Sequence, residues 1–302
     1  MGLVQNVVFG LVQGSYIAIA AIGFTMIYGI VNMINFAYGE YLTIGAFVGV
    51  LAAGVLPLPV AALVAMVGAG AASIALAKLF FTPINETGPV PMLLTSIGLG
   101  LVLRNVIRLG AGRSARYYDT ESATYEFAGV PEVPVGSVDL LGNFFVTSRM
   151  LVVVGCAVAV FAILHALLTR TDVGIAMRAM SDSEDLARVR GIDTQMIRNS
   201  VWVLAGVLAG LAGVLLGIQT NVSVTTGFSQ ILQILAAAIL GGAGSPYGAI
   251  AGSYVIGLVV ALSTAFLPAD MTGLSSAVAF LVLVVVLLVK PSGIAGEEVR
   301  EA

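Results

Sequence analysis

Residues able to do chemistry are few in this chain, and they fall in three polar clusters within apolar surroundings. Asn32, Asn35, Tyr38, Glu40 and Tyr41 lie in VNMINFAYGEY, between the first two apolar stretches. Thr95 and Ser96 interrupt a later apolar stretch that also carries Arg104 and Arg108. Gln219, Asn221, Ser223, Thr225 and Thr226 follow another, with Gln230 and Gln233 just beyond. A charge at mid-bilayer costs about 2.5–3.5 kcal/mol on insertion scales, so these side chains are expected to face protein or water. Asn and Thr groups can hydrogen-bond the ammonium and carboxylate of a zwitterion while apolar walls accept its side chain. For Glu40 two readings stand: a residue at the headgroup level, or one that lines or braces a polar pathway.

Catalytic machinery is harder to assemble. His165 is the only histidine and Cys156 the only cysteine, which excludes an internal disulfide and leaves no zinc cluster or redox pair. The same scarcity argues against a membrane-embedded enzyme with a nucleophile–base or metal set. GGAGSPYG at 241–248 is glycine-rich but lacks the Lys-Ser/Thr ending of a phosphate loop, so it reads as a tight turn at a membrane face. No cofactor is expected.

The elements that must position these residues are membrane helices. The 302 residues are 59% hydrophobic and 10% charged, with a mean hydropathy of +1.06. A soluble domain carries about 25% charged residues, so this is an integral membrane protein. Its net charge of -3 and lack of a basic patch give no sign of nucleic-acid binding. No Lys or Arg precedes Lys78, so the first apolar stretch lacks the basic flank of a cleaved leader and is read as retained. Apolar stretches of spanning length fall at about 4–30, 36–56, 58–81, 91–111, 148–169, 198–219, 247–267 and 272–290. A shorter one at about 228–242 reads as tilted or re-entrant, giving eight or nine segments. All are expected to be helical, because lipid cannot satisfy an open backbone and nothing alternates as a barrel strand would. Gly10/Gly14, Gly206/Gly210, Gly213/Gly217 and Gly248/Gly252 have the spacing that lets helices approach closely.

Arginine sets the orientation. Arg170, Arg178, Arg188, Arg190 and Arg198 put the 170–198 loop in the cytoplasm, which leaves the acidic 112–147 loop outside. With nine spans the N-terminus is outside; if 4–30 does not cross simply, it is inside. The cytoplasmic loop holds a short helix of about two and a half turns. Ser181, Asp182 or Ser183 can cap it, Ser181 and Glu184 have capping-box spacing, and Gly191 stands where a helix-ending glycine belongs. Leu186 and Val189 share one face, and a helix this short needs a surface to pack on.

Five segments in order resemble the LivH-type permeases of branched-chain amino-acid ABC transporters. They are GSYIAIAAIGFTMIYGIVNMINFAYGE at 14–40, LLTSIGLGLVLRN at 93–105, TDVGIAMRAMSDSEDLARVRGID at 171–193, LAAAILGGAGSPYGAIAG at 235–252 and KPSGI at 290–294. Tyr38 departs from the family's NFAHGE-like motif, which has histidine there. The resemblance implies an all-α, polytopic transmembrane helix bundle of the type II ABC importer kind. It treats residues 1–302 as a single permease domain with an extracytoplasmic 112–147 loop and a cytoplasmic 170–193 coupling loop.

The implied partners are cytoplasmic ABC ATPase subunits, a second, LivM-like permease subunit, an extracytoplasmic substrate-binding protein and the lipid bilayer. The substrate pathway is then expected at Asn32, Asn35, Tyr38, Glu40, Thr95, Ser96, Gln219 and Asn221. ATPase coupling is expected at Arg178, Ala179, Glu184, Leu186, Ala187, Val189, Gly191 and Ile192. ATP hydrolysis belongs to the partner subunit, and the permease itself is placed as a multi-pass protein in the cell's inner membrane. The alternatives are a urea or amide ABC permease, which shares much of this pattern, and an ion-coupled secondary transporter.

Overall fold

The computed structural model describes residues 2–127, 134–135, 138–139, 143–267, 274–290 and 293–294. Among the described residues nine apolar helices run through the bundle: α1 (Leu3–Val31), α2 (Tyr38–Ala53), α3 (Leu58–Leu76), α4 (Pro89–Ala111), α5 (Ser148–Arg170), α8 (Thr194–Gln219), α9 (Thr226–Gly241), α10 (Pro246–Phe266) and α11 (Ser275–Val289). Two short helices, α6 (Asp172–Asp182) and α7 (Glu184–Val189), lie between α5 and α8 at one end of the bundle. α3 is extended by a π-helical stretch, Ala77–Phe81, and a 3-10 stretch, Thr82–Thr87. Six of the nine are long and apolar enough to cross a bilayer, while α2, α9 and α11 are shorter. The sequence boundaries hold to within a few residues.

At the other end the 112–147 loop carries two small antiparallel hairpins, an addition to the all-helical reading. β1 (Thr124–Phe127) pairs with β4 (Phe144–Thr147), and β2 (Pro134–Val135) with β3 (Val138–Asp139). Several helices start on side-chain caps: Thr147 for α5, Thr171 for α6, Ser183 for α7, Asp193 for α8 and Ser245 for α10 each accept a first-turn N–H.

α1 and α8 form the buried centre, whereas α4 and α5 expose most of their surface. Small residues make that centre tight. Gly10 and Gly14 meet the α10 backbone at Leu258 and Tyr254, Gly206 and Gly210 meet α3 at Ala69 and Ala65, and Gly213 meets α2 at Leu42. Gly252 meets α9 at Ala237, whereas Gly217 faces the Tyr118 ring instead of another helix. Bringing backbones together in this way is how apolar helices associate without a hydrophobic drive between them.

Two of the spans are broken. α1 ends at the α6/α7 end on Asn32, a left-handed residue with φ 54°, and its N–H bonds Tyr28 O. The chain then climbs back as a non-helical segment before α2 begins at Tyr38, whose hydroxyl donates to Ala20 O at 2.8 Å. Ala20 lies roughly three turns back along α1. The second break mirrors the first. After α8 ends at Gln219, Val222 pairs with Arg116 of the hairpin loop, and the chain dips into the bundle before α9 starts. Neither α2 nor α9 has a side-chain cap.

Candidate functional site

The helices that follow the two breaks, α2 and α9, meet start to start. A Cβ at Gly39, the second residue of α2, would lie 2.7 Å from Gly227 O, and one at Gly227 would strike Gly39 O. Only glycine at both positions permits that approach. Across it, Gly227 N–H donates to Thr43 Oγ1 at 3.1 Å, tying the start of α9 to α2. Two helix N-termini within the bundle concentrate partial positive charge at one depth, although most of their first-turn N–H groups are already bonded, Tyr38 N–H to Asn35 O and Thr226 N–H to Ser223 O among them.

Charged side chains gather at the same place. Glu40 is 1% exposed, and its Oε1 accepts from Arg104 Nη2 at 2.9 Å and Nε at 3.0 Å. The Arg104 guanidinium also lies 3.8 Å from the centre of the Phe228 ring, on the first turn of α9. Arg104 therefore joins α4 to both broken helices by an ion pair and a cation–π contact, the latter worth about 0.5–2 kcal/mol. Among the described residues, Glu40 Oε2 and the Asn35 amide are buried without a close hydrogen bond; the Tyr41 hydroxyl lies beside Asn35 and Thr43 beside Glu40. Buried polar atoms left unpaired cost about 1–3 kcal/mol each, and functional sites are where such cost is tolerated. Below Asn35, Ile34 joins Phe24, Leu235 and Ile239 in lining an apolar crevice of about 190 Å³.

Of the predicted pathway residues, the structure brings Asn35, Tyr38, Glu40 and Ser96 together. Ser96 is buried in α4, where its hydroxyl accepts the Phe36 N–H at 3.0 Å and so holds the non-helical segment. Thr95 next to it is half-buried. Tyr38 is spent on packing, its hydroxyl bonded to Ala20 O and Ala205 O and its ring against Phe24 and Tyr41. Asn32 stands apart, exposed in a crevice of about 670 Å³ with Asp182 to Glu184 at the α6/α7 end. Gln219 and Asn221 lie at the opposite end of α8, Asn221 exposed and Gln219 Nε2 buried without a partner. Arg104, Phe228, Thr43 and the glycine pair were not among the predicted site residues. The detectable signal was the charge itself, because an acid and a base in two apolar stretches have strong reason to pair.

The α6/α7 end departs from the sequence reading in its details. The cap of the short helix is Ser183, in extended conformation with its hydroxyl accepting Leu186 N–H, and Ser181 belongs to the end of α6. The expected capping box therefore does not form; Glu184 instead bonds Arg188 at 2.9 Å and Arg198 of α8 at 2.8 Å. Gly191 ends α7 with φ 85°, and the bonds Gly191 N to Arg188 O and Ile192 N to Ala187 O close a Schellman turn. Leu186 and Val189 are 57% and 84% exposed, whereas Ala187 is 2% exposed and packs into the bundle. Arg178 is exposed, and Ala179 and Ile192 are half-buried.

The family described as "Branched-chain amino acid transport system / permease component" matches residues 6–287. The chain belongs to this permease family. Among its relatives is the high-affinity branched-chain amino acid transport permease LivH of Salmonella typhimurium, 32% identical over 97% of this chain and 95% of that protein. BraD of Pseudomonas aeruginosa is 31% identical over 97% and 95%. A probable LivH of Methanocaldococcus jannaschii is 29% identical over 95% of this chain and 90% of that one. The alignments run through nearly the whole permease, so the broken spans and the α6/α7 end both lie within them. As a member of this family the chain is a multi-pass membrane transport subunit, with ATP hydrolysis left to another protein.

Proposed function

We propose that this permease forms the translocation path for branched-chain amino acids, delivered by a binding protein and driven by a partner ATPase. The observation that carries the reading is the pair of broken helices meeting at Gly39 and Gly227, with Glu40, Arg104 and the buried amide of Asn35 beside them. Non-helical backbone at membrane depth is tolerated only where protein covers it or where it lines a watery path. Charged and amide groups suit a zwitterion's two ends, and the apolar crevice below Ile34 suits an aliphatic side chain. The relatives' names point to the same substrate class.

Two partner surfaces follow. Leu186 and Val189, apolar and exposed on α7, form the knob for the ATPase, with the arginine-bearing α6/α7 end in the cytoplasm and the hairpin loop outside. The face of α4 and α9 that bears Leu101, Asn105, Phe228, Ser229 and Leu232 meets a second permease subunit, LivM-like in kind. It mixes polar side chains, Asn105 and Ser229, with exposed apolar ones.

The test is uptake by the reconstituted complex of permease pair, ATPases and binding protein. Vanadate-sensitive, ATP-dependent uptake of leucine, isoleucine and valine is expected. Uptake of urea or acetamide in their place supports the amide-permease alternative, and uptake driven by an ion gradient without the ATPase defeats the proposal.

A further inference from the structure

A second cavity, of about 420 Å³, opens at the α6/α7 end between the ends of α1 and α3 and the start of α8. Its size lies within the usual range for small-molecule sites, about 300–1,000 Å³. Three amides, Asn85, Gln195 and Asn199, and the Arg198 guanidinium line it, above a floor of Phe81 and Trp202. Those two rings stack at 5.2 Å with an interplanar angle of 13°, and both are almost fully buried. Among the described residues Arg198 Nε is buried with no hydrogen-bond partner. Its Nη2 is held by Glu184, but Glu184 also serves Arg188, so one carboxylate faces two guanidinium groups. α8 begins at the same mouth, adding the partial positive charge of a long helix start; Asp193 caps that helix and lines the neighbouring crevice rather than this one. Gln195 Nε2 donates to Asn199 Oδ1 at 3.2 Å, which leaves Gln195 Oε1 as an acceptor.

We propose that this cavity binds a small α-amino acid, the transported solute itself, and that its occupancy loosens the coupling helix. The carboxylate sits on Arg198 at the start of α8, the ammonium on the amide oxygens, and the aliphatic side chain over the Trp202–Phe81 floor. Arg198 is also the tether of α7, because its bond to Glu184 joins the coupling helix to α8. A bound carboxylate competes with Glu184 for that guanidinium, so solute accumulating at this end weakens the link through which the ATPase acts. This rests on the transport reading above but concerns a separate place in the chain.

Trp202 is the only tryptophan in the sequence, so the cavity reports on itself. The full-length chain in nanodiscs is titrated with L-leucine and with leucinamide, and tryptophan fluorescence is followed. A saturable change with leucine is expected, absent with leucinamide, and shifted at least tenfold to higher concentration in Asn199→Leu and Arg198→Met. No change with leucine, an equal change with leucinamide, or unaltered affinity in both variants overturns the site. In proteoliposomes of the whole transporter with ATP inside, luminal leucine is expected to slow initial leucine uptake several-fold, relative to the same vesicles loaded with acetate. Loss of that inhibition in Asn85→Leu, normalised to its own rate into acetate-loaded vesicles, supports the regulatory role; wild-type uptake insensitive to luminal leucine refutes it. Absence of any leucine uptake strikes the transport reading instead and leaves the fluorescence result to stand on its own.

Discussion

Arg104 and Glu40, 64 residues apart in sequence, share one carboxylate oxygen at 2.9 and 3.0 Å and thereby lock α4 onto the start of α2. The Glu40 side chain is 2% exposed and that of Arg104 15%, so neither charge is well solvated. Removing one partner strands the other, which costs about 3–5 kcal/mol, while replacing both by apolar residues is close to neutral in comparable cases. Glu40→Leu and Arg104→Leu are therefore each expected to lower the thermal stability of the solubilised chain sharply. The double variant should be more stable than either single one. Additive losses would show that the pair carries no coupling.

Gly39 and Gly227 make a second, purely steric prediction. Gly227→Ala pushes a methyl group into Gly39 O, a backbone atom that cannot swing aside. Overpacking of this kind costs about 1–3 kcal/mol. Folded yield in the membrane should fall in Gly227→Ala and in Gly39→Ala. Around Gly98, on α4, nothing lies within 4 Å of where an alanine methyl would point, so Gly98→Ala should be neutral or stabilising by up to about 1 kcal/mol. Equal yields in all three variants would remove the close crossing from the account.

Much of the bundle was legible because a bilayer leaves helix as the only common choice, and runs of apolar residues then mark each span. The gap at 31–35, marked by Asn32 and Asn35, was legible as a boundary between apolar stretches, but not that the chain there climbs back into the bundle as non-helical backbone. The shortness of the 228–242 stretch hinted that the second break is not a simple loop. Within the site, Glu40 and Asn35 stood out as polar groups among apolar ones. Their partner Arg104 is a tertiary neighbour that no local spacing reveals. At α7 the charges announced a helix, yet the choice of Ser183 over Ser181 as cap depends on an extended backbone at one residue, φ -164° and ψ 112°. Ala187 enters the docking set through the family resemblance; its burial comes from how α7 lies against the bundle.

Asn35 offers a test of the pathway free of charge effects. Its buried amide has only the Tyr41 hydroxyl beside it, so Asn35→Leu should cost no more than about 1–3 kcal/mol and leave the permease folded. If that amide receives substrate, uptake by the assembled complex should fall several-fold while ATPase co-purification is unchanged. Normal uptake would return Asn35 to a packing role.

Orientation is open to chemical labelling. Ser122 and Ser183 are both exposed, the first before β1 and the second between α6 and α7. In a Cys156→Ala background, a membrane-impermeant maleimide added outside cells should modify Ser122→Cys and spare Ser183→Cys. The reverse pattern would invert the topology and put the arginine-bearing end outside.

The short helix α7 separates three effects that one loop would otherwise confound. Leu186 and Val189 point away from the bundle, so Leu186→Asp with Val189→Asp should leave membrane level and stability unchanged and weaken ATPase co-purification. Ala187 is buried against the permease itself, so Ala187→Trp should lower folded yield before any docking defect can be measured. Gly191 closes the helix in the left-handed region, where a branched side chain costs about 1 kcal/mol or more. Nothing lies within 4 Å of a Cβ at that position, so Gly191→Val acts through backbone strain at the turn and not through a clash. It should leave the transmembrane bundle folded but detach or misdirect α7, lowering uptake relative to ATP hydrolysis. Glu184→Ala should have a related, milder effect, since its two ion pairs are partly exposed and worth about 0.2–1 kcal/mol each. Membrane level, ATPase co-purification, hydrolysis and uptake are to be measured on the same preparations. Normal ATPase binding in the Leu186→Asp/Val189→Asp variant, together with normal coupling in Gly191→Val, would mean that the ATPase engages this permease somewhere other than α7.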